Sequence, residues 1–164
     1  MKKAESVSDG LKLGMRQFAS GVCVINTTAP DGQRAAMTAS SVTSVSNDPP
    51  SLLVCVNTAA RLDTLLKQSD YFCVNVLSEE QQVASEVCAN PEKSDQRFDL
   101  AEWQPIAESG LDYLSNSLSV FVCRKQQIIP YGTHSIVLAD IEQVMVSETQ
   151  KSALVYINGG YHKL

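Results

Sequence analysis

The spacing of apolar residues along this chain changes period several times, and each change predicts an element. Leu11, Met15, Phe18 and Val22 recur at helical intervals, which predicts an amphipathic opening helix over 8–20. Val22–Thr28 then reads as a strand. Ala29-Pro30-Asp31-Gly32 reads as a turn, with proline suited to its first corner and glycine to the left-handed position. Two strands about such a turn form a hairpin, so MTASSV (37–42) is expected to run back beside VCVINTT (22–28). Ser51–Val56 is a third strand. Leu62, Leu65 and Leu66 give one apolar face to a helix over Ala59–Gln68, and Tyr71–Leu77 is again a strand.

Ser78-Glu79-Glu80-Gln81 matches a capping box, and the helix it opens should run to Ala89 and stop at Asn90-Pro91. Residues 91–117 show no period and predict a long irregular excursion, a kind of segment that often carries function. Strands return over Ser119–Gln127, Thr133–Val146 and Ala153–Tyr156, and Tyr161-His162-Lys163 closes the chain. Successive strands on short turns, with few helices, argue for a mainly β domain built as an antiparallel sheet or barrel. The expectation is one domain over 1–164, with 1–7 a flexible tail.

One stretch departs from ordinary strand composition. In MTASSVTSVSNDPP (37–50), Val42, Thr43 and Val45 favour extended chain, yet Ser, Thr and Ala fill most positions where bulk would exclude water. Two readings stay open on the strand alone. Its hydroxyls face water on an edge, or its small side chains let a flat ligand approach the backbone closely.

Composition narrows the function. The chain has 164 residues, 44% hydrophobic and 19% charged, as in ordinary soluble domains. No apolar run approaches the ~20 residues that span a bilayer, and MKKAESVSDG lacks the apolar core of a signal peptide, so a cytoplasmic protein with no membrane partner is expected. A net charge of −5 with no basic cluster argues against a nucleic-acid partner. Five cysteines (23, 55, 73, 88, 123) form no C-x-x-C pair, so neither a metal site nor a disulfide framework is expected. Four of them, Cys23, Cys55, Cys73 and Cys123, fall in apolar strands as small buried hydrophobes.

No G-x-S-x-G elbow, P-loop or G-x-G-x-x-G is present, which leaves a hydrolase or a nucleotide-loop fold unsupported. Three other places carry candidate chemistry. Asn57-Thr58-Ala59-Ala60-Arg61 sits at a strand-to-helix junction, where free amides, the helix dipole and Arg61 suit a phosphate; an ordinary Asn or Thr cap with a solvated arginine is the plainer alternative. Tyr131-Gly132-Thr133-His134 leads into a strand, and His134 has two ring nitrogens for a cofactor or substrate amide, or else is a surface histidine. Arg97-Phe98 in the excursion offers an anion contact or a loop salt bridge.

Taken in order, MRQFASGVCVINTT (15–28), MTASSVTSVSNDPPSLLVCVN (37–57), YFCVNVL (71–77), Arg97-Phe98 with Trp103, YGTH (131–134) and LVYINGGYHKL (154–164) resemble the flavin reductase-like family. The likeness covers residues 11–164 and is nearest to the branch that includes the reductase component of 4-hydroxyphenylacetate 3-monooxygenase. It implies a split β-barrel of the FMN-binding type with a few flanking helices, usually a homodimer. It also implies FMN or FAD as flavin, NADH or NADPH as hydride donor, and a separate oxygenase that receives reduced flavin. Carried over by motif, the flavin-contacting residues are Thr38, Ala39, Ser40 and Ser41, then Ser46, Asn47 and Asp48 before the prolines. Asn57, Thr58, Ala60 and Arg61 belong to the ribityl phosphate, Arg97 is a further contact, and His134 lies by flavin and nicotinamide as the catalytic candidate.

Many members carry a hydroxyl where this chain has Ala60, and often another near Leu62, so Thr58, Arg61 and helix amides would have to compensate. The alternative from another class is a non-catalytic flavin-binding barrel.

Overall fold

The computed structural model describes residues 3–99, 101–107 and 109–163. Twelve strands and three α-helices are arranged around one curled sheet among the described residues. In chain order they are α1 (Val7–Met15), β1 (Ser20–Gly21), β2 (Cys23–Thr28), β3 (Arg34–Ala39), β4 (Val42–Asn47), β5 (Pro50–Asn57), α2 (Arg61–Gln68), β6 (Tyr71–Val76), α3 (Gln82–Ala89), β7 (Trp103–Pro105), β8 (Asp112–Leu114), β9 (Ser119–Tyr131), β10 (His134–Val146), β11 (Leu154–Ile157) and β12 (Gly160–Lys163). A 3-10 turn over Glu79–Gln81 leads into α3, and another over Pro91–Gln96 follows it.

The main sheet has seven strands in the order β3-β2-β6-β9-β10-β5-β4, all antiparallel. Its two edge strands, β3 and β4, are joined by Ser40 and Ser41 alone. Three Cα steps of about 3.8 Å hold Ala39 and Val42 within about 11 Å, so a sheet seven strands wide must curl back on itself. The edges meet without pairing, which makes the barrel split. Register shifts in the β9–β10 pair, at Leu138/Ala139 and Ile141/Gln143, add the local bending such a curl needs.

The period of two along each strand sorts side chains into separate cores. From β2, Cys23 and Ile25 point into the barrel with Val54, Val56, Phe72, Val74, Val137 and the α2 residues Leu62, Leu65 and Leu66. Val22 and Val24 point outward, into a second cluster with Ala36, Leu77, Cys88, Leu114 and Leu154. Burial on both faces is why VCVI reads as an unbroken apolar run. Cys73, Val120 and Val122 face a third cluster with Ile106 and Leu111 from the excursion. Among the described residues no helix is long and apolar enough to cross a membrane.

Several expectations change. MTASSV is not one strand: Met37, Thr38 and Ala39 pair with β2 as expected, but Val42 pairs with Val54 of β5, at the opposite edge of the sheet. The opening helix ends at Met15 instead of continuing to residue 20, and none of its residues is buried; Leu11, Met15 and Phe18 are exposed. Ser6 caps it through a bond from the Asp9 amide, 3.1 Å, so helix begins within the segment expected as a tail; Met1 and Lys2 lie outside the described residues. The excursion contains short elements, β7 pairing with β8, held by a buried pair of asparagines. Asn75 Oδ1 accepts from the Leu114 amide at 2.9 Å, and Asn26 Nδ2 donates to Asp112 O at 2.7 Å. A pattern of apolar residues does not register an anchor made of amides.

Candidate functional site

A groove of about 650 Å³ lies between β3, the start of α2, the end of α3 and the Pro91–Gln96 turn. That volume is within the ~300–1,000 Å³ range of small-ligand sites. One wall is the small-residue strand. Ala36 O accepts from Arg97 on the side away from β2, and the alternation of an antiparallel strand then points the N–H and C=O of Thr38 outward as well. Thr38, Ala39 and Ser40 line the groove, and their small side chains leave that peptide edge approachable. The Thr38 hydroxyl itself is committed, donating to Ser85 O of α3 at 2.6 Å.

The second wall is the corner from β5 into α2. Asn57 turns the chain by accepting from the Ala59 amide through Oδ1 and from the Ala60 amide through its own carbonyl, both at 2.9 Å. Ala60 stands at the N-cap with no side chain to bond the first amides of α2. The Asp63 amide bonds Ala60 O at 3.0 Å, while the Arg61 and Leu62 amides have no side-chain cap. Asn57, Ala59, Ala60 and Arg61 all face the groove. Leu62 does not: it is fully buried in the barrel core.

Arg97 closes the third side and is the residue least explained by packing. Its side chain is only 8% exposed, and among the described residues no carboxylate lies within ion-pair distance. Its terminal nitrogens donate to Ala36 O and, at 3.0 Å, to Asn90 O, while its buried Nε has no partner. Burial pulls the Arg97 pKa below its ordinary value. A buried cation satisfied only by carbonyls is costly, and an anion in the adjoining groove would offset that cost.

The excursion holds this arginine in place. Trp103 Nε1 donates to Arg97 O at 2.9 Å, and Phe98 packs on Trp103 with ring centres 4.8 Å apart. Arg34 lies 4.3 Å over the Phe98 ring while pairing with Asp112 at 2.9 Å. Among the described residues no acidic side chain lines the groove, whereas two arginines do. The arrangement suits a planar polar ring against β3 with an anionic group nearby.

The structure thus brings Thr38, Ala39, Ser40, Asn57, Ala60, Arg61 and Arg97 together. It does not bring the other candidates into the lining. Ser41 donates to Cys55 O at 2.9 Å, and Thr58 bonds Thr133 O through both its amide, 3.0 Å, and its hydroxyl, 3.1 Å. Ser46, Asn47 and Asp48 form the exposed end of the β4–β5 hairpin, where the Asp48–Pro49 bond is cis. His134 is exposed and pairs in register with Asn57; its Nδ1 lies 3.0 Å from Thr133 Oγ1.

The sequence reading gave no role to Cys88, Tyr156 or Tyr161, which also line the groove. Burial pushes the Cys88 thiol up to about 11. Tyr156 and Tyr161 are cross-strand partners about the Asn158-Gly159 turn, with rings 5.2 Å apart edge to face, and the Tyr161 hydroxyl lies 2.9 Å from Ser85 Oγ. Two tyrosines set symmetrically about Asn158-Gly159 are the sequence signal that would have found them.

Comparison with known proteins follows the same geometry. A model of the flavin reductase like domain matches residues 15–164. The reductase component of the FADH(2)-dependent resorcinol hydroxylase of Rhizobium sp. (strain MTP-10005) is 37% identical over 158 residues, covering 96% of this chain and 87% of that protein. The FMN reductase (NADH) RutF of Pantoea ananatis is 34% identical over 163 residues, covering 99% of this chain and 84% of the relative. Among solved structures, the NADH:FAD oxidoreductase SgcE6 of Streptomyces globisporus C-1027, in complex with NAD and FAD fragments, superposes with a TM-score of 0.89 at 25% identity, covering 99% and 97% of the two chains.

Proposed function

The chain belongs to the flavin reductase like domain family, and from that premise we propose that it is an NAD(P)H-dependent flavin reductase that supplies reduced FMN or FAD to a separate oxygenase. The observation that carries the reading is the groove: a small-residue strand edge on one side and a buried, carboxylate-free Arg97 on the other. When bound, nicotinamide and flavin supply the chemistry themselves, one hydride (two electrons and a proton) passing from the first to the second.

The protein's part is to bind and orient. The outward peptide groups of Thr38 and Ser40 hold the polar edge of the ring, and donors placed there stabilise the negative charge that grows on reduction. Asn57 and Ala60 shape the seat for the ribityl phosphate, and Arg61 and Arg97 supply positive charge. His134, one strand across from Asn57, lies toward the nicotinamide. Because the ligands carry the chemistry, the groove needs no side-chain nucleophile or general base. The test is aerobic NADH oxidation with FMN, FAD or no flavin added. Flavin-dependent turnover supports the reading, and flavin binding without turnover favours the non-catalytic alternative.

The same reading treats residues 1–164 as one domain and the protein as a cytoplasmic homodimer. Five free cysteines suit a reducing compartment. Val7, Leu11, Leu13, Met15 and Phe18 expose an apolar surface that a second copy would cover. Seven residue steps along β5, about 23 Å, separate Pro50 from Asn57, so Ser46, Asn47 and Asp48 would serve a flavin only in the groove of that second copy.

A further inference from the structure

One contact at the groove's rim is not needed to hold a flavin. Both terminal nitrogens of Arg61 are engaged: Nη2 donates to Gln33 Oε1 at 3.1 Å, and Nη1 lies 3.7 Å from Asp95 Oδ1. Gln33 is itself fixed by Asp31, which accepts from its amide at 3.0 Å and from its Nε2 at 2.7 Å. One guanidinium therefore ties the β2–β3 turn and the start of α2 to the Pro91–Gln96 turn, across the mouth of the groove. The Asp95 side chain is 94% exposed and that of Arg61 44%, so the pair is weak and easily exchanged.

We propose that Asp95 is a specificity-determining residue that competes with a ligand phosphate for Arg61 and disfavours flavins ending in a phosphate. The inference rests on reading the Asn57–Arg61 corner as the phosphate seat. A phosphomonoester carries about two negative charges near neutral pH. To reach Arg61 it must displace the Asp95 carboxylate and then remain beside it. The cationic groove draws flavin in, and Asp95 opposes its retention. That balance suits a protein that hands its product to another.

The test is titration of oxidised FMN and riboflavin, which lacks the phosphate, against wild type, Asp95→Asn, Arg61→Ala and the double variant at low and high salt. Asp95→Asn should tighten FMN about three- to fivefold at low salt and leave riboflavin unchanged, with the gain shrinking at high salt and in the Arg61→Ala background. If Arg61→Ala lowers the preference for FMN over riboflavin while Asp95→Asn leaves it untouched, Asp95 has no such role and the phosphate seat stands. If neither Arg61→Ala nor Asp95→Asn alters that preference, the seat itself is misplaced and the inference falls with it. Both side chains are exposed, so matching circular dichroism spectra suffice to exclude misfolding.

Discussion

Strands β3 (RAAMTA) and β4 (VTSVSN) are two residues apart, carry mostly small or β-branched side chains, and both form an edge of the same sheet. They end in opposite circumstances. Strand β3 is flanked by α2, α3 and the excursion, so Ala35, Ala36 and Ala39 are buried and Thr38 is half-buried. Strand β4 pairs with β5 alone among the described residues, and from Thr43 to Asn47 every residue is exposed, Val45 by 50%. Small side chains do not make a binding strand. What makes one is small side chains on an edge that other elements wall in while leaving a gap.

The largest consequence lies in the wall. Arg97 joins the excursion to β3 through Ala36 O and to the end of α3 through Asn90 O. Arg97→Ala would leave two carbonyls without their charged donor, at a cost of about 3 kcal/mol. The urea midpoint should fall with little change in slope, and FMN binding should weaken further in protein that remains folded. Arg97→Lys restores charge without the fork and should recover less than half of either loss. A wild-type midpoint for Arg97→Ala would mean the excursion is held by Trp103 and the asparagine pair alone.

Bulk placed just past the end of β3 and within β4 tests the comparison directly. Ser40 lines the groove and Ser44 does not, though both are exposed serines. Ser40→Trp should fill the slot and raise the FMN dissociation constant roughly thirtyfold, corresponding to about 2 kcal/mol of lost fit. Ser44→Trp should leave both FMN affinity and stability within ~0.5 kcal/mol of wild type. Equal effects from the two would show that β4 is walled in after all, by a second chain.

This contrast also marks what the sequence made legible. Apolar runs located β2, β5, β6, β9 and β10, the leucine spacing located α2 and the capping box located α3, because burial and helix starts both leave local marks in the chain. The break at Ser40-Ser41 was invisible, since partner choice at a sheet edge depends on which strands lie alongside and not on β3 or β4. The Asn57–Arg61 corner was legible because a helix start has a local signature. Arg97 was recognised only as a candidate, because its contacts with Ala36 O, Asn90 O and Trp103 follow from tertiary packing and from no local pattern. Tyr156 and Tyr161 went unassigned because strand alternation alone does not say which face of a short hairpin meets a groove.

A smaller effect is expected one strand outside the lining. His134 is exposed and, among the described residues, its side chain bonds only Thr133, so His134→Ala should leave stability unchanged. If its ring meets the nicotinamide beside Asn57, flavin-dependent NADH oxidation should slow about threefold, the worth of one exposed hydrogen bond. The loss should appear in the NADH dependence and not in the FMN titration. The reverse pattern would move His134 to the flavin side.

The smallest effect should come from the far end of β4. Ser46 Oγ accepts from the Asp48 amide at 3.0 Å and donates to Asp48 O at 2.9 Å, so its hydroxyl is spent on its own turn. Ser46→Ala removes that local bond in water, which should lower stability by no more than about 0.5 kcal/mol. FMN affinity should change less than about twofold, because nothing at this end of β5 lines the groove of the same chain. A clear loss of FMN affinity at unchanged stability would place this hairpin against a flavin bound elsewhere. Given the length of β5, that flavin would have to sit in another copy, and the uncovered Val45 of β4 would then be part of the surface through which the copies meet.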